Sequence, residues 1–149
     1  MGCDIHCFIE KADKDYNNFW YQVKLYRVDP YYNDLEVVRA YDGRDYDLFS
    51  ILAGVRGVYE PLVEPRGLPG NLSRDVERES EWFGSDAHTQ TWYDLNELIL
   101  LKRMYRDEEK YLGFVDFVDQ ILTYLDFAGE HIYGNVESGK YRVVIWFDS

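Results

Sequence analysis

The alternation of apolar and polar residues predicts strands at both ends of the chain. In residues 3–10 the two classes alternate with a period of two, which is typical of a half-buried strand. "FWYQVKLYRV" (19–28) is rich in β-branched and aromatic residues and predicts a second strand, paired with the first as a hairpin. "LEVVRAY" (35–41) indicates a third strand, and "KYRVVIWFDS" (140–149) predicts a final one.

The middle of the chain changes to helical spacing. In residues 44–57 the apolar positions fit one helical face, and Asp45 or Asp47 is placed to cap the helix. Three more helices are predicted at 73–84 with Ser73 as cap, at 94–105 with Asp94 and Glu97 as a capping box, and at 107–129. The prolines and glycines of 58–73 predict a long loop, and "SDAHTQT" (85–91) predicts a polar loop.

Strands followed by helices and one last strand predict an α+β fold. We expect an antiparallel sheet, made of the N-terminal hairpin and the C-terminal strand, with helices covering it. The 149 residues are close to the commonest domain size, so we expect one domain over 1–149.

Charge and composition narrow the choice of partners and location. The net charge of −12 disfavours binding to nucleic acid and to anionic membranes. No apolar run approaches the ~20 residues of a membrane span, and the first residues lack a secretory signal. We therefore expect a cytoplasmic protein. Cys3 and Cys7 are too few for a disulfide scaffold and are expected to be buried.

A polar face of the first strand indicates a site. Asp4, His6 and Glu10 share one face because strand side chains alternate. A second Asp-x-His pair, Asp86 and His88, has the same spacing. If the pairs meet, the two aspartates and two histidines would bind zinc, manganese or iron. A hydrolase would then use Glu10 as general base, or His88 as the proton-transfer group.

Arginines and aromatic rings indicate a different chemistry, the binding of a nucleotide-type ligand. Arg44, Arg56 and Arg66 flank glycine-rich segments, and guanidinium groups bind phosphate through paired hydrogen bonds. Trp92 or Tyr46 would stack on a base. Asp4 and Asp86 would accept hydrogen bonds from ribose hydroxyls. The alternative for the arginines is ordinary surface ion pairing, and for the rings core packing.

Five segments resemble a family of small uncharacterised proteins from tailed phages and prophages. They are "MGCDIHCFIE", "RDYDLFSILAGVRG", "PRGLP", "SDAHTQTWYDLNEL" and "YRVVIWFD", in this order, and they span almost the whole chain. The resemblance implies action in the cytoplasm of an infected bacterium and implies no particular activity. By analogy with other phage accessory proteins, counter-defence is the expected role.

Three functions therefore remain open from the sequence. The first is a module that sequesters a nucleotide-type immune signal, without nucleic-acid or membrane partners. The second is a metal-dependent phosphohydrolase that uses the two Asp-x-His pairs. The third is an acidic decoy that imitates DNA towards a host protein, although the 16 Lys and Arg among the 28 acids interrupt a negative face. Homo-oligomerisation is also left open.

Overall fold

The centre of the fold is an antiparallel sheet. The computed structural model describes residues 2–17, 19–132 and 136–149. Its strands are β1 (Asp4–Asp13), β2 (Phe19–Val23), β3 (Leu25–Val28), β4 (Leu35–Val38), β5 (Ala87–Asp94) and β6 (Tyr141–Asp148). In the described residues, the order β2-β1-β6-β5 forms one sheet, and β3 and β4 form a separate two-stranded sheet. Every pairing is antiparallel.

The helices begin and end where local signals dictate. They are α1 (Tyr46–Ala53), α2 (Arg74–Phe83), α3 (Leu95–Tyr105) and α4 (Leu112–Phe127). The Asp45 side chain caps α1 by accepting from the Leu48 N–H, and α1 ends at Gly54 in the left-handed conformation that glycine tolerates. Ser73 caps α2 as predicted. No helix in the described part of the chain is long and apolar enough to cross a membrane.

Helices cover both faces of the sheet. On one face α1, α3 and α4 pack against inward side chains such as Ile5, Cys7 and Phe147 to form the main core. On the other face α2 and the loop before it pack on Val144 and Trp146. The predicted α+β fold, with the N-terminal hairpin and the C-terminal strand in one antiparallel sheet, is confirmed.

The structure differs from the predicted elements at three places. The predicted strand 19–28 divides at Lys24 into β2 and β3, which join different sheets. The predicted polar loop at 85–91 is wrong, because 87–94 form β5; a bulge between His88 and Thr91 interrupts the period of two. The predicted capping box is also wrong. The Asp94 side chain accepts from the Gly139 N–H, and α3 has no side-chain cap.

Candidate functional site

The two Asp-x-His segments reach the same end of the sheet. Asp4 at the start of β1 lies opposite Asp148 at the end of β6. Across the other edge of β6, Asp148 lies opposite Ala87, the first residue of β5. Asp86 directly precedes Ala87 in the chain. Spacing alone could not establish this proximity, because it depends on β6 pairing with both strands.

The two histidines nevertheless lie on opposite faces of that sheet. His6 is opposite Trp146, whereas His88 is opposite Phe147, and successive side chains of a strand point to opposite faces. The metal site predicted from Asp4, His6, Asp86 and His88 therefore does not form. Within the described ranges, no group of three His, Cys, Asp or Glu side chains could hold a zinc, manganese or iron ion.

The His88 ring contacts hydroxyl groups rather than the carboxylate that a proton-transfer role assumed. Its Nδ1 lies 2.9 Å from Oγ1 of Thr89, and its Nε2 lies 3.0 Å from Oγ of Ser149. These contacts hold the ring at the beginning of β5. The arrangement gives the imidazole no carboxylate to orient it, so the predicted catalytic role of His88 gains no geometric support.

Glu10 occupies a structural position instead of the predicted catalytic one. It is fully buried, and its Oε1 accepts from Nε of Arg142 at 2.6 Å. Its Oε2 accepts from the Ser73 N–H at the start of α2, also at 2.6 Å. Arg142 also donates to Asn71. Because both carboxylate oxygens accept buried hydrogen bonds, Glu10 joins β1 to β6 and α2 and is not placed to activate water.

Arg66 and Trp92 do meet, but their contacts are internal to the fold. The Arg66 guanidinium lies 4.9 Å from the centre of the Trp92 ring. It also donates two hydrogen bonds to the Glu97 carboxylate, at 2.7 and 2.6 Å. This bidentate pair occupies the donor geometry that would bind a phosphate. The structure thus places Arg66 in the loop before α2, packed on the Trp92 ring of β5 and ion-paired with Glu97 of α3.

Four other predicted ligand residues do come together, at the beginning of β1 and α1. Nη2 of Arg44 donates to Oδ1 of Asp4 at 2.6 Å. The Arg56 guanidinium lies over the Tyr46 ring, 5.2 Å from its centre. The Cys3 N–H donates to the Tyr46 hydroxyl at 3.2 Å. Two guanidinium groups therefore lie beside one phenol at the end of the sheet.

The guanidinium groups of this cluster shift the pKa values of two neighbouring acidic groups. The Cys3 N–H, the Arg56 guanidinium and then Arg44 lower the pKa of Tyr46, because each favours its ionised form. The hydrogen bond from Arg44 also lowers the pKa of Asp4, and the charge of Arg39 contributes to the same shift. Asp148 and Asp86 also reach this end of the sheet, so the guanidinium groups lie among carboxylates and the cluster holds charges of both signs.

A pocket of about 320 Å³ lies on the His6 face of β1. Its walls are β1, the segment from β4 to Tyr41, and the end of α2. The side chains that line it include those of His6, Val37, Arg39, Trp82 and Phe83. The Phe83 ring lies 4.2 Å from the His6 ring, and Trp82 is 84% exposed. The pocket therefore offers flat rings together with one guanidinium group, from Arg39, and one carboxylate, from Glu79.

A carboxylate that was not predicted from the sequence lies beside His6. Its Nε2 lies 3.3 Å from Oδ2 of Asp148, a distance at which a protonated imidazole forms an ion pair. The same Nε2 is shielded from solvent and makes no hydrogen bond in the described structure. A buried polar atom of this kind retains a capacity for hydrogen bonding.

The sequence analysis missed Arg39, Trp82, Phe83 and Asp148. One signal could have found the two aromatic residues, since they end a helix that is otherwise mostly charged and buries only Val76 in its described residues. Trp82 is 84% exposed while Phe83 packs partly against Trp146, and an exposed ring beside a partly buried one is a candidate for a binding surface. Arg39 and Asp148 carry no such signal, because only pairing and packing bring them to β1.

Comparison of the chain with protein-family models, with curated proteins and with solved structures gives no match. The assignment of a function therefore depends on the geometry of the site.

Proposed function

We propose that this protein binds a small anionic ligand that carries a flat ring, of the nucleotide type, in the pocket beside His6. One observation carries the proposal. Arg39 lines an aromatic pocket and also acts electrostatically on Asp4, whose carboxylate is paired with Arg44. This supports a ligand whose ring and anionic group bind next to each other at one end of the sheet.

The ring of the ligand would stack on Trp82 and Phe83. These residues replace Trp92 and Tyr46 as the stacking groups, since Trp92 already packs against Arg66. Stacking of a base on an aromatic side chain contributes about 1–3 kcal/mol to the binding free energy and depends little on which base is bound. The pocket volume of about 320 Å³ lies at the small end of the range for ligand sites. A single nucleotide is therefore a better match than a larger ligand.

The phosphate would lie towards Arg39 and Arg44. Arg44 is half exposed, as is its partner Asp4, so a phosphate can replace or share that carboxylate. Surface ion pairs contribute little to stability, so replacing the Asp4 carboxylate by a phosphate at Arg44 should cost little free energy. His6, which lies beside Asp148, would donate or accept a hydrogen bond at the base or the ribose.

The proposal favours binding over turnover. A metal-dependent phosphohydrolase would need ligands that the described residues do not bring together. The resemblance to phage proteins supplies a setting, the cytoplasm of an infected bacterium, where such binding would sequester a nucleotide immune signal. The acidic decoy gains no specific contact or surface in its favour.

Isothermal titration calorimetry with nucleoside monophosphates tests the proposal. Adenosine, guanosine, cytidine and uridine monophosphates are compared with the matching nucleosides and with inorganic phosphate. We expect saturable binding that needs both the ring and the phosphate. Trp82→Ala and Arg39→Gln should each weaken it by roughly tenfold or more, the equivalent of 1.4 kcal/mol.

Matched variants give the controls for this experiment. Phe127→Ala also removes an exposed ring, and Arg103→Gln also removes an exposed guanidinium, both away from the pocket. Neither should change the affinity. Absence of binding at millimolar nucleotide would refute the proposal. Chromatography of the nucleotide after incubation with the protein should show no product. Release of phosphate would show that the protein hydrolyses the nucleotide and does not merely bind it.

A further inference from the structure

The β3–β4 hairpin presents its apolar face to solvent. In the register of this pair, Tyr26 lies opposite Val37 and Val28 lies opposite Leu35. These four side chains share one face because directly opposite residues of antiparallel strands point the same way. All four are exposed, and Leu35 is 71% exposed. We call these four residues the outer face of the hairpin.

The opposite face of the hairpin holds it to the body of the protein. Leu25 and Val38 pack against the main core. The Tyr124 hydroxyl of α4 accepts from the Leu25 N–H at 2.8 Å and donates to the Val38 carbonyl at 2.9 Å. Further out, Arg27 and Glu36 form an ion pair. The charged pair therefore lies on the attached side, and the outer face carries no charge.

The turn of the hairpin is ordered by its own hydrogen bonds. Oδ1 of Asp29 accepts from the N–H groups of Tyr31 and Tyr32, at 2.8 and 3.2 Å. The Asp29 N–H donates to the Asp34 carbonyl at 2.7 Å. Tyr31 and Tyr32 are 90% and 80% exposed. Two large exposed rings thus extend from an ordered backbone, which reduces the backbone entropy lost when a partner covers them.

A cover for the outer face would remove its exposed apolar side chains from water and so stabilise the hairpin. Monomeric proteins also rarely expose contiguous apolar patches of several hundred square ångströms. We propose that the cover is a second copy of this chain, with the two outer faces packed together about a two-fold axis. The dimer does not depend on the proposed function, although Val37 of the outer face also lines the pocket beside His6.

Charge is the reason for choosing a second copy. Two chains of net charge −12 repel each other over most approaches. The outer face contributes none of that charge, so two copies can meet there with the least repulsion. The area is also adequate. Covering the exposed parts of Tyr26, Tyr31 and Tyr32, which are 53%, 90% and 80% exposed, together with those of Val28, Leu35 and Val37 would bury an area that approaches the roughly 800 Å² that each partner buries in a standard interface.

Sedimentation equilibrium of the full chain tests the inference. We expect a monomer–dimer equilibrium in the micromolar range that shifts towards dimer as sodium chloride is raised, since salt screens the repulsion between copies. Leu35→Glu should weaken dimerisation by about 100-fold or more, because it would bury two like charges at the interface. Met104→Glu on α3 is the matched control, since Met104 is 67% exposed and outside the hairpin. It should leave the dimer unchanged.

A monomer at all concentrations would overturn the inference and leave the outer face to another partner. A dimer that survives Leu35→Glu, or one that Met104→Glu dissociates, would place the interface elsewhere. Cross-linking gives a second readout. Cys3 and Cys7 are buried, so Leu35→Cys adds an accessible thiol. Mild oxidation should join two copies of that variant and should not join Met104→Cys.

Discussion

Replacing Glu10 with glutamine separates the structural role of this residue from the catalytic one. The change keeps the shape of the side chain and removes its charge. One carboxylate oxygen accepts from Arg142 and the other from the Ser73 N–H. Since glutamine has a single acceptor oxygen, its amide nitrogen must face one of these two donors. A buried donor is then left without an acceptor, and the Arg142 charge is left without its partner.

The expected loss follows from these two costs. A buried unsatisfied donor costs about 1–3 kcal/mol, and breaking a buried ion pair by removing one partner costs about 3–5 kcal/mol. The two estimates overlap, so we expect the free energy of unfolding to fall by about 3–4 kcal/mol. For a chain of this length, each kcal/mol lowers the melting temperature by about 2–4 °C. The expected shift is therefore roughly 10 °C.

Urea unfolding followed by circular dichroism and by tryptophan fluorescence measures the effect. Arg142 lies 3.8 Å from the centre of the Trp20 ring, so the local environment has its own reporter. Glu81→Gln on the exposed side of α2 is the control and should change stability by less than about 0.5 kcal/mol. The double change Glu10→Met with Arg142→Met should cost less than the sum of the single changes, because no charge is left unpaired.

A free energy of unfolding that stays within about 1 kcal/mol of the original value in Glu10→Gln would refute the structural role of Glu10. If that stable variant also lost nucleotide binding or turnover, Glu10 would belong to the site, as the sequence analysis predicted.

Two further tyrosines give testable outcomes. The pKa of Tyr46 is lowered from its ordinary value of 10.0, so absorbance at 295 nm should begin to rise at a lower pH than for an ordinary tyrosine, and Arg56→Gln should move this step back up. Because the Tyr46 hydroxyl loses its proton at a lower pH in the folded than in the unfolded chain, the free energy of unfolding should increase as pH rises from the folded pKa of Tyr46 to 10. If the early rise in absorbance persists in Tyr46→Phe, another tyrosine is responsible for it. Tyr124→Phe leaves the Leu25 N–H and the Val38 carbonyl without their bridging hydroxyl. This change should lower the free energy of unfolding by about 1–2 kcal/mol and accelerate amide hydrogen exchange in β3 and β4 more than in the central sheet. Equal acceleration in both sheets would show that the hydroxyl does not anchor the hairpin.

Local signals in the sequence were sufficient for most elements of the fold. The period of two in 3–10 and the helical spacing in 44–57 reflect which face of each element is buried, and such a pattern can be read without knowing its partner. Asp45 and Ser73 cap their helices through bonds to residues three positions away, so these caps were also visible. Where a bulge broke the period, at His88 to Thr91, strand β5 was mistaken for a loop.

The site was determined less by the sequence than by the pairing of β6. The sequence correctly grouped Asp4, His6 and Glu10 on one face of β1, but it could not show that Glu10 would be buried against Arg142 while Asp4 remained exposed. It also could not show that the register places His6 and His88 on opposite faces. A shift of one residue in that register would exchange the faces, and such a shift leaves no trace in spacing along a single strand.

The sequence by itself therefore determined the fold class, the cap of α2, the choice between Asp45 and Asp47 as the cap of α1, and the grouping of side chains on the two faces of β1, because these depend on neighbours within a few residues. Only the tertiary structure decided which polar groups became ion pairs inside the fold and which remained at a pocket. Contacts such as Arg39 near Asp4, and Asp148 beside His6, join residues that are far apart in the chain. Their energies arise when strands and helices pack, since packing sets both the distance between charges and their access to water.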